Sequence, residues 1–312
     1  MIQRGISFAI AALLAIGCGA SLCAAAETDA FEIDLKNDRL LITRAGKPVA
    51  SYVFQDEKIP RPYFCDIYAP GGARVTRNHP PIEGQDLTDH ELLHPGIWLS
   101  FGDLGGADFW RLKAKTQHVK FERSPQVKDQ AVTWQVHNRY LDGARAVCDE
   151  VCEMTITLLP EGYLFSWDST FQSPDGPFAF GDQEEMGLGI RMHTPLSVAQ
   201  GGAILNSDGL KDEKQAWGKP ADWCMYHGKH SGDDVGVLLM PSAKNFRRAW
   251  FHCPDYGLVA ANPFGKNAFT GGEKSRIEVP AGKPFALAYR MLIFQRADEP
   301  LDPAASYQKY GR

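Results

Sequence analysis

The sequence lacks three things that would each have announced a function. It has no run of like charge: 33 Lys and Arg stand against 38 Asp and Glu, a formal net charge of −5, spread without clusters. That excludes a phosphate-tracking nucleic-acid surface and a polybasic membrane patch. It has no long apolar run after residue 26, so no transmembrane anchor is expected. It also has no P-loop, no dinucleotide-binding glycine fingerprint after a strand, no Gly-x-Ser-x-Gly elbow and no His-Glu-x-x-His. The glycines of "GDLGG" open no helix and carry no phosphate-binding signal. Cysteine is scarce, with seven in 312 residues.

The first residues are of a different kind. "MIQRGISFAIAALLAIGCGASLCAAAETDA" offers Arg4, an apolar stretch and the small residues Ala24 and Ala26 before Glu27. This predicts a secretory signal peptide over residues 1–26, cleaved to leave a single domain over 27–312 in the periplasm or outside the cell. Lipoprotein processing at Cys18 in "AIGC" is the rival reading. Export leaves Cys65, Cys148, Cys152, Cys224 and Cys253, an odd number. Cys148 and Cys152 are the expected disulfide pair, being close in sequence in an oxidising compartment.

Beyond the leader the hydrophobic period is two. Val132, Trp134 and Val136 share one face of "AVTWQVHN"; Met154, Ile156 and Leu158 share one face of "CEMTITLL"; Tyr163, Phe165 and Trp167 do so in "GYLFSWDSTF". Glycine and proline punctuate at short intervals, and "PEG" between two of these runs reads as a tight hairpin. The fold class expected is all-β: an antiparallel β-sandwich, for which a galactose-mutarotase-like supersandwich is one form, with only short turns near residues 304–310.

Chemistry concentrates in "TDHELLHPGIWLSFGDLGGADFW", residues 88–110. "GIWLSFGD" predicts a strand with Trp98 and Ser100 on one side and Ile97, Leu99 and Phe101 on the other. His90 and His94 fall in the loop that feeds it, and His79 in "TRNHPP" shortly before. Loops at strand ends are where rigid scaffolds place reactive groups. His79, His90 and His94 suggest imidazole ligands for a divalent metal, the one cofactor the residues point to. Alternatively, His90 or His94 acts as a general base oriented by a carboxylate, while the plain structural reading has Asp89 and His90 capping a turn. "GDQEEMGLGIRMHTP" adds Glu185 as a second catalytic carboxylate and Arg191 as a substrate clamp. "NSDGLKDEKQAWGKPADWCMYHG" adds Trp217, Trp223 and Tyr226 as aromatics for sugar faces, and "NFRRAWFHCPDYGLVAANPFG" adds His252 as a further binding residue.

Together "RPYFCDIYAPGG", "TRNHPP", "TDHELLHPGIWLSFGDLGGADFW", "GLGIRMHTPLSV", "NSDGLKDEKQAWGKPADWCMYHG", "WFHCPDYGLVAANPFG" and "YRMLIF" resemble a bacterial family labelled PmoA-like, after a methane oxygenase subunit and otherwise of unknown function. The family's loop is richer in histidine, reading Asp-His-Pro-His-His before Gly-Leu-Trp. This chain keeps Asp89, His90 and His94 but has Leu93 in place of one histidine, and Phe294 where relatives carry another. The resemblance implies secreted β-sandwich proteins in bacteria rich in sugar-cleaving and sugar-oxidising enzymes. The function expected is an exported carbohydrate-active enzyme acting on a sugar or glycoside by acid–base chemistry, as a lyase, hydrolase or epimerase. The alternative is a non-catalytic glycan-binding module with Trp217, Trp223 and Tyr226 as its platform. A redox or copper protein, as the family label hints, lacks a blue-copper ligand pattern. The expected partner is a carbohydrate or another small molecule, not nucleic acid.

Overall fold

The computed structural model describes residues 1–2 and 30–312. The leader, Cys18, Cys23 and the expected cleavage point lie outside the described residues. Two large sheets form the body. One has nine strands in the order Phe31–Leu35, Arg39–Arg44, Lys47–Val53, Tyr63–Cys65, Ile97–Phe101, Met186–Arg191, Leu258–Asn262, Ala249–His252 and Pro220–Ala221. The other has eight, in the order Ala203–Asn206, Cys224–His230, Asp233–Pro241, Phe285–Arg296, Gly162–Gln172, Arg145–Leu159, Ala131–Asp142 and Lys115–Lys128. The ladders run antiparallel, including the small pair Phe178–Phe180 with Ile277–Val279. The all-β antiparallel expectation holds.

Alternation explains the packing. In Ala131–Asp142 every second residue is buried, with Val132, Trp134 and Val136 fully so. These face the other sheet, where Trp134 meets Tyr52 with ring centroids 5.5 Å apart and Phe165 meets Phe64 at 5.5 Å. The hairpin at "PEG" joins Arg145–Leu159 to Gly162–Gln172 with Leu159 opposite Gly162. The last helix, Pro303–Tyr310, is capped by the Asp302 carboxylate, which accepts from the Ala305 amide at 3.0 Å. Among the described residues no helix is long and apolar enough to cross a membrane.

The expected Cys148–Cys152 disulfide is not formed: all five described cysteines are free and buried. Both residues lie in the single strand Arg145–Leu159. Four residues of extended chain separate their Cα atoms by about 13 Å, roughly twice what a disulfide spans. Nearness in sequence becomes distance in space once the segment is a strand.

What positions the site is the outer face of the nine-stranded sheet. The alternation in Ile97–Phe101 sends Ile97, Leu99 and Phe101 into the main core and Trp98 to a second, outer cluster with Tyr63, Trp110, Leu258 and Ala260. Register then lines up Trp98, Gly189, Ala260 and His252 across four neighbouring strands.

Candidate active site

Two buried arginines build the loop that carries the histidines. Arg77 Nη1 donates to the carbonyls of Leu87 and Asp89, both at 2.7 Å, and Nη2 to those of His94 and His90 at 3.1 and 3.4 Å. Arg61 donates to the Leu93 carbonyl and, at 2.8 Å, to that of Trp110. Burial lowers Arg77 to about 10 and Arg61 to about 9, so both stay charged at neutral pH. They satisfy carbonyls that a loop would otherwise turn to water. The His94 amide closes one helical turn on the His90 carbonyl at 2.9 Å, with His90 at φ 50°. That turn stacks the two imidazoles, centroids 4.7 Å apart and 16° from parallel. The stack continues from His94 to Trp98 at 5.0 Å and from His90 to Tyr256 at 6.4 Å.

Arg191, fully buried at the end of its strand, grips Asp89 with both guanidinium nitrogens, at 2.6 and 3.0 Å, and lies over the Tyr256 ring at 4.6 Å. Asp89 in turn meets His90 Nδ1 at 2.7 Å. Burial alone would raise the Asp89 carboxyl, but the hydrogen bonds from Arg191 and His90 hold it well below the usual carboxylate range. An ionised carboxylate only accepts, so His90 Nδ1 carries the proton in this contact. The His90 side chain is 48% exposed. His94 is the opposite case. It is 4% exposed, and burial, reinforced by Arg191, pushes its imidazole down to about 2. Its Nδ1 lies 3.4 Å from Arg191 Nη1, a pure donor, so Nδ1 holds the lone pair.

Across the sheet lies a second pair. Glu184 Oε1 is 2.7 Å from His252 Nδ1, and that contact lowers the Glu184 carboxyl. The His252 ring sits beside the packed pair Trp217 and Phe269, at 6.2 and 6.5 Å. Glu185 pairs with Arg111, which also holds Asp108 at 3.2 Å. Between the two histidine pairs the sheet is covered by the indoles of Trp98 and Trp110, which lie over Gly189. Gly187 and Gly189 present backbone on this face, with Ala260 beside them. A Cβ at Gly187, whose φ is +94°, would stand 2.1 Å from the Ala261 carbonyl oxygen. The result is a buried, indole-covered stretch of sheet with an imidazole–carboxylate pair toward each end.

The structure therefore brings together His90, His94 and Arg191, and sets Glu185, His252 and Trp217 around the same face. It separates others. Three groups lie close enough to hold a metal ion, their ligand atoms within 4.8 Å of one another, but these are Asp89, His90 and His94. His79 is not among them: its Nε2 meets the Tyr63 hydroxyl at 3.2 Å, which donates to Asp56 at 2.7 Å. Trp223 and Tyr226 form no row with Trp217. Trp223 is buried on the other sheet with Leu301 and Tyr307, and Tyr226 lies in the main core, its hydroxyl donating to the Asp255 carbonyl at 3.0 Å. Period two sends alternate residues of one strand to opposite faces, which places Tyr226 inside and Trp223 outside. Arg77 was not singled out from sequence, and Glu184 and Tyr256 were noted in their segments without being assigned to the site. A signal for this stretch was present: glycine at every second position of "MGLGIR" means a strand face without side chains of its own.

Among solved structures, the chain is similar to a galactose mutarotase-like protein from Lactobacillus casei, with 12% identity, 84% of this chain and 99% of that chain covered, and a TM-score of 0.39. It is similar also to an aldose epimerase homologue from C. elegans, with 8% identity, 85% and 99% covered, and a TM-score of 0.33. A third is a Glycoside Hydrolase Family 97 enzyme in complex with panose from Pseudoalteromonas sp. strain K8, with 9% identity, 84% and 33% covered, and a TM-score of 0.35. No curated protein matches the sequence. The expected PmoA-like membership is overturned, because the family model that matches, over residues 39–308, is a different one. The chain belongs to the family of unknown function DUF6807.

Proposed function

We propose that the protein is an exported carbohydrate-active enzyme that moves a proton on an uncharged sugar, with His90 as the general base. The observation that carries this reading is the chain Arg191–Asp89–His90. A buried arginine fixes the carboxylate, the carboxylate fixes the imidazole tautomer, and the ring stays exposed. A base needs its orientation fixed and its ring open to substrate, and this chain supplies both. His94 stays neutral below His90 and acts as its stacking support.

Charge pairing around this face supports an uncharged substrate. Arg191 is taken by Asp89, Arg111 by Glu185 and Asp108, and Glu184 by His252. A carboxylate or phosphate on the substrate would have to break one of these pairs to find a cation. The partly exposed Tyr256 and Trp217 suit the apolar faces of a sugar ring. The burial of Trp223 and Tyr226 removes the aromatic platform that a non-catalytic binding module would use. The same charges speak to a metal at Asp89, His90 and His94. Arg191 occupies both Asp89 oxygens and adjoins His94 Nδ1, so a divalent ion would meet a fixed positive charge. We assign the group to proton transfer.

The test is a screen of neutral sugars, uronic acids and sugar phosphates with the wild type, His90→Ala and Trp217→Ala, with metal content measured in the same preparation. The reading predicts turnover of neutral sugars that His90→Ala reduces about 10²–10⁴-fold and that a chelator leaves unchanged. Binding of glycans without turnover, lost in Trp217→Ala and kept in His90→Ala, would contradict it.

A further inference from the structure

Two thiols meet across the core on the inner side of the strand that carries His252. Alternation at Ala249–His252 turns Phe251 and then Cys253 into the main core, while His252 faces out. In Cys224–His230 of the other sheet the same rule turns Cys224 and Tyr226 into that core and Met225 to the opposite face. Cys224 and Cys253 are both fully buried and hydrogen-bonded thiol to thiol. The surrounding backbone holds the two segments together. The Tyr226 hydroxyl donates to the Asp255 carbonyl at 3.0 Å and accepts from the Val198 amide at 3.1 Å. Asp255 and Glu213 exchange amide-to-carboxylate hydrogen bonds, both 2.9 Å. Cys253 thus opens the loop that carries Tyr256, the ring beneath the Arg191 guanidinium and beside His90. The remaining described cysteines are placed otherwise: Cys65 is in the outer cluster, and Cys148 and Cys152 are spaced along one strand.

We propose that Cys224 and Cys253 form a disulfide that joins the two sheets when the chain folds in an oxidising compartment, and that the bond braces the Tyr256 loop. The compartment rests on the reading of the protein as exported; the pairing rests on the contact between the thiols. The oxidant is a small-molecule or protein disulfide. The thiolate of one cysteine attacks an oxidant sulfur, the oxidant's S–S bond breaks, and its other half leaves as a thiol. The second thiolate attacks the mixed disulfide, forms the Cys224–Cys253 bond and releases the remaining half. Two protons and two electrons pass from the pair to the oxidant, which ends as two thiols. The Cys253 contact and burial hold the Cys224 thiol well above its ordinary range, so attack is slow once the core has closed and the bond forms during folding. A bond between these positions closes a loop of about 30 residues, long enough to restrict the unfolded chain strongly.

In the experiment the full chain is unfolded in urea and refolded with a mixture of reduced and oxidised glutathione. It is then unfolded again with N-ethylmaleimide and mapped by peptide mass spectrometry. Protein taken directly from cells is mapped in the same way, and Cys224→Ala and Cys253→Ala are carried alongside. The proposal predicts a cross-linked peptide joining Cys224 to Cys253, with Cys65, Cys148 and Cys152 alkylated. It predicts melting about 6 °C higher for the oxidised than for the reduced wild type, and no such difference in either variant. Hydrogen exchange at the Asp255, Tyr256 and Gly257 amides should be slower in the oxidised form. Alkylation of both Cys224 and Cys253 after refolding, or a cross-link from either to another cysteine, would overturn the pairing. A Cys224–Cys253 cross-link that leaves melting and exchange unchanged would overturn the brace. A cross-link in refolded protein whose thiols are both free when taken from cells keeps the pairing and refutes the oxidising compartment.

Discussion

Gly189→Ala is a single-methyl test of how the sheet supports the site. The added Cβ would lie 2.7 Å from Trp98 Cζ2, 2.9 Å from Cε2 and 3.0 Å from Trp110 Cη2. Ordinary carbon contacts need about 3.5–4.0 Å, so the indole must retreat by roughly 0.8 Å or more. It has little room to do so. Trp98 is fully buried, with Trp110 at 5.2 Å on one side, the Arg61 guanidinium at 5.2 Å and His94 stacked at 5.0 Å. Overpacking of this kind costs about 1–3 kcal/mol. Because His94 rides on Trp98 and His90 on His94, the displacement passes to the base, and a misplacement of about 1 Å costs on the order of 10²-fold in rate. Urea denaturation measures the first quantity and turnover the second. Gly176→Ala, where an added Cβ meets nothing within 4 Å, is the control. If Gly189→Ala keeps wild-type stability within about 0.5 kcal/mol and full activity, the support from sheet to stack is wrong.

Acid should weaken the fold through the site. Burial lowers His94 from 6.5 to about 2, so the unfolded chain binds the extra proton between those values. Stability from His94 is therefore complete above about pH 6.5 and is lost as pH falls, by up to about 1.4 kcal/mol per pH unit. Asp89, also lowered, adds its share only at still lower pH, below 3.8. Urea midpoints measured from pH 7 to pH 4 should fall for the wild type and fall less for His94→Phe, and equal slopes would refute the assignment. Trp134→Ala should cost about 3–5 kcal/mol without touching the Asp89–His90 site. An activity loss in Trp134→Ala while the protein is fully folded would show that core and site are not separable.

The architecture was legible because one physical rule produced it. Alternation of apolar residues specified which side of each strand is buried, and it predicted that Trp98 and Ile97 part company across the sheet. The same rule applied further would have caught two misreadings. Cys148 and Cys152 share a strand and cannot meet, and Trp223 and Tyr226 cannot share a surface with Trp217. The site was legible in part. His90 and His94 were found because histidines in a strand-end loop are conspicuous, and Arg191 because it ends a strand beside them. Asp89 was read as a turn cap, although its adjacency to His90 already allowed a carboxylate–imidazole pair. Glu185 was preferred to Glu184 with nothing in sequence to separate neighbours. Which of the two turns toward His252 is decided by Arg111, 74 positions from Glu185 along the chain. Long-range pairing of that kind has no local signature, and the role of Arg77 in gathering four loop carbonyls is hidden for the same reason.

The central claim is that Asp89, held ionised by Arg191, makes His90 a base. The most direct measurement is kcat/KM against pH for the wild type, His90→Ala and Asp89→Asn on whichever neutral sugar the screen identifies. The account predicts that His90→Ala loses about 10²–10⁴-fold. It predicts that Asp89→Asn, whose amide no longer fixes the imidazole tautomer, loses activity while the fold survives. Full turnover in His90→Ala would contradict it.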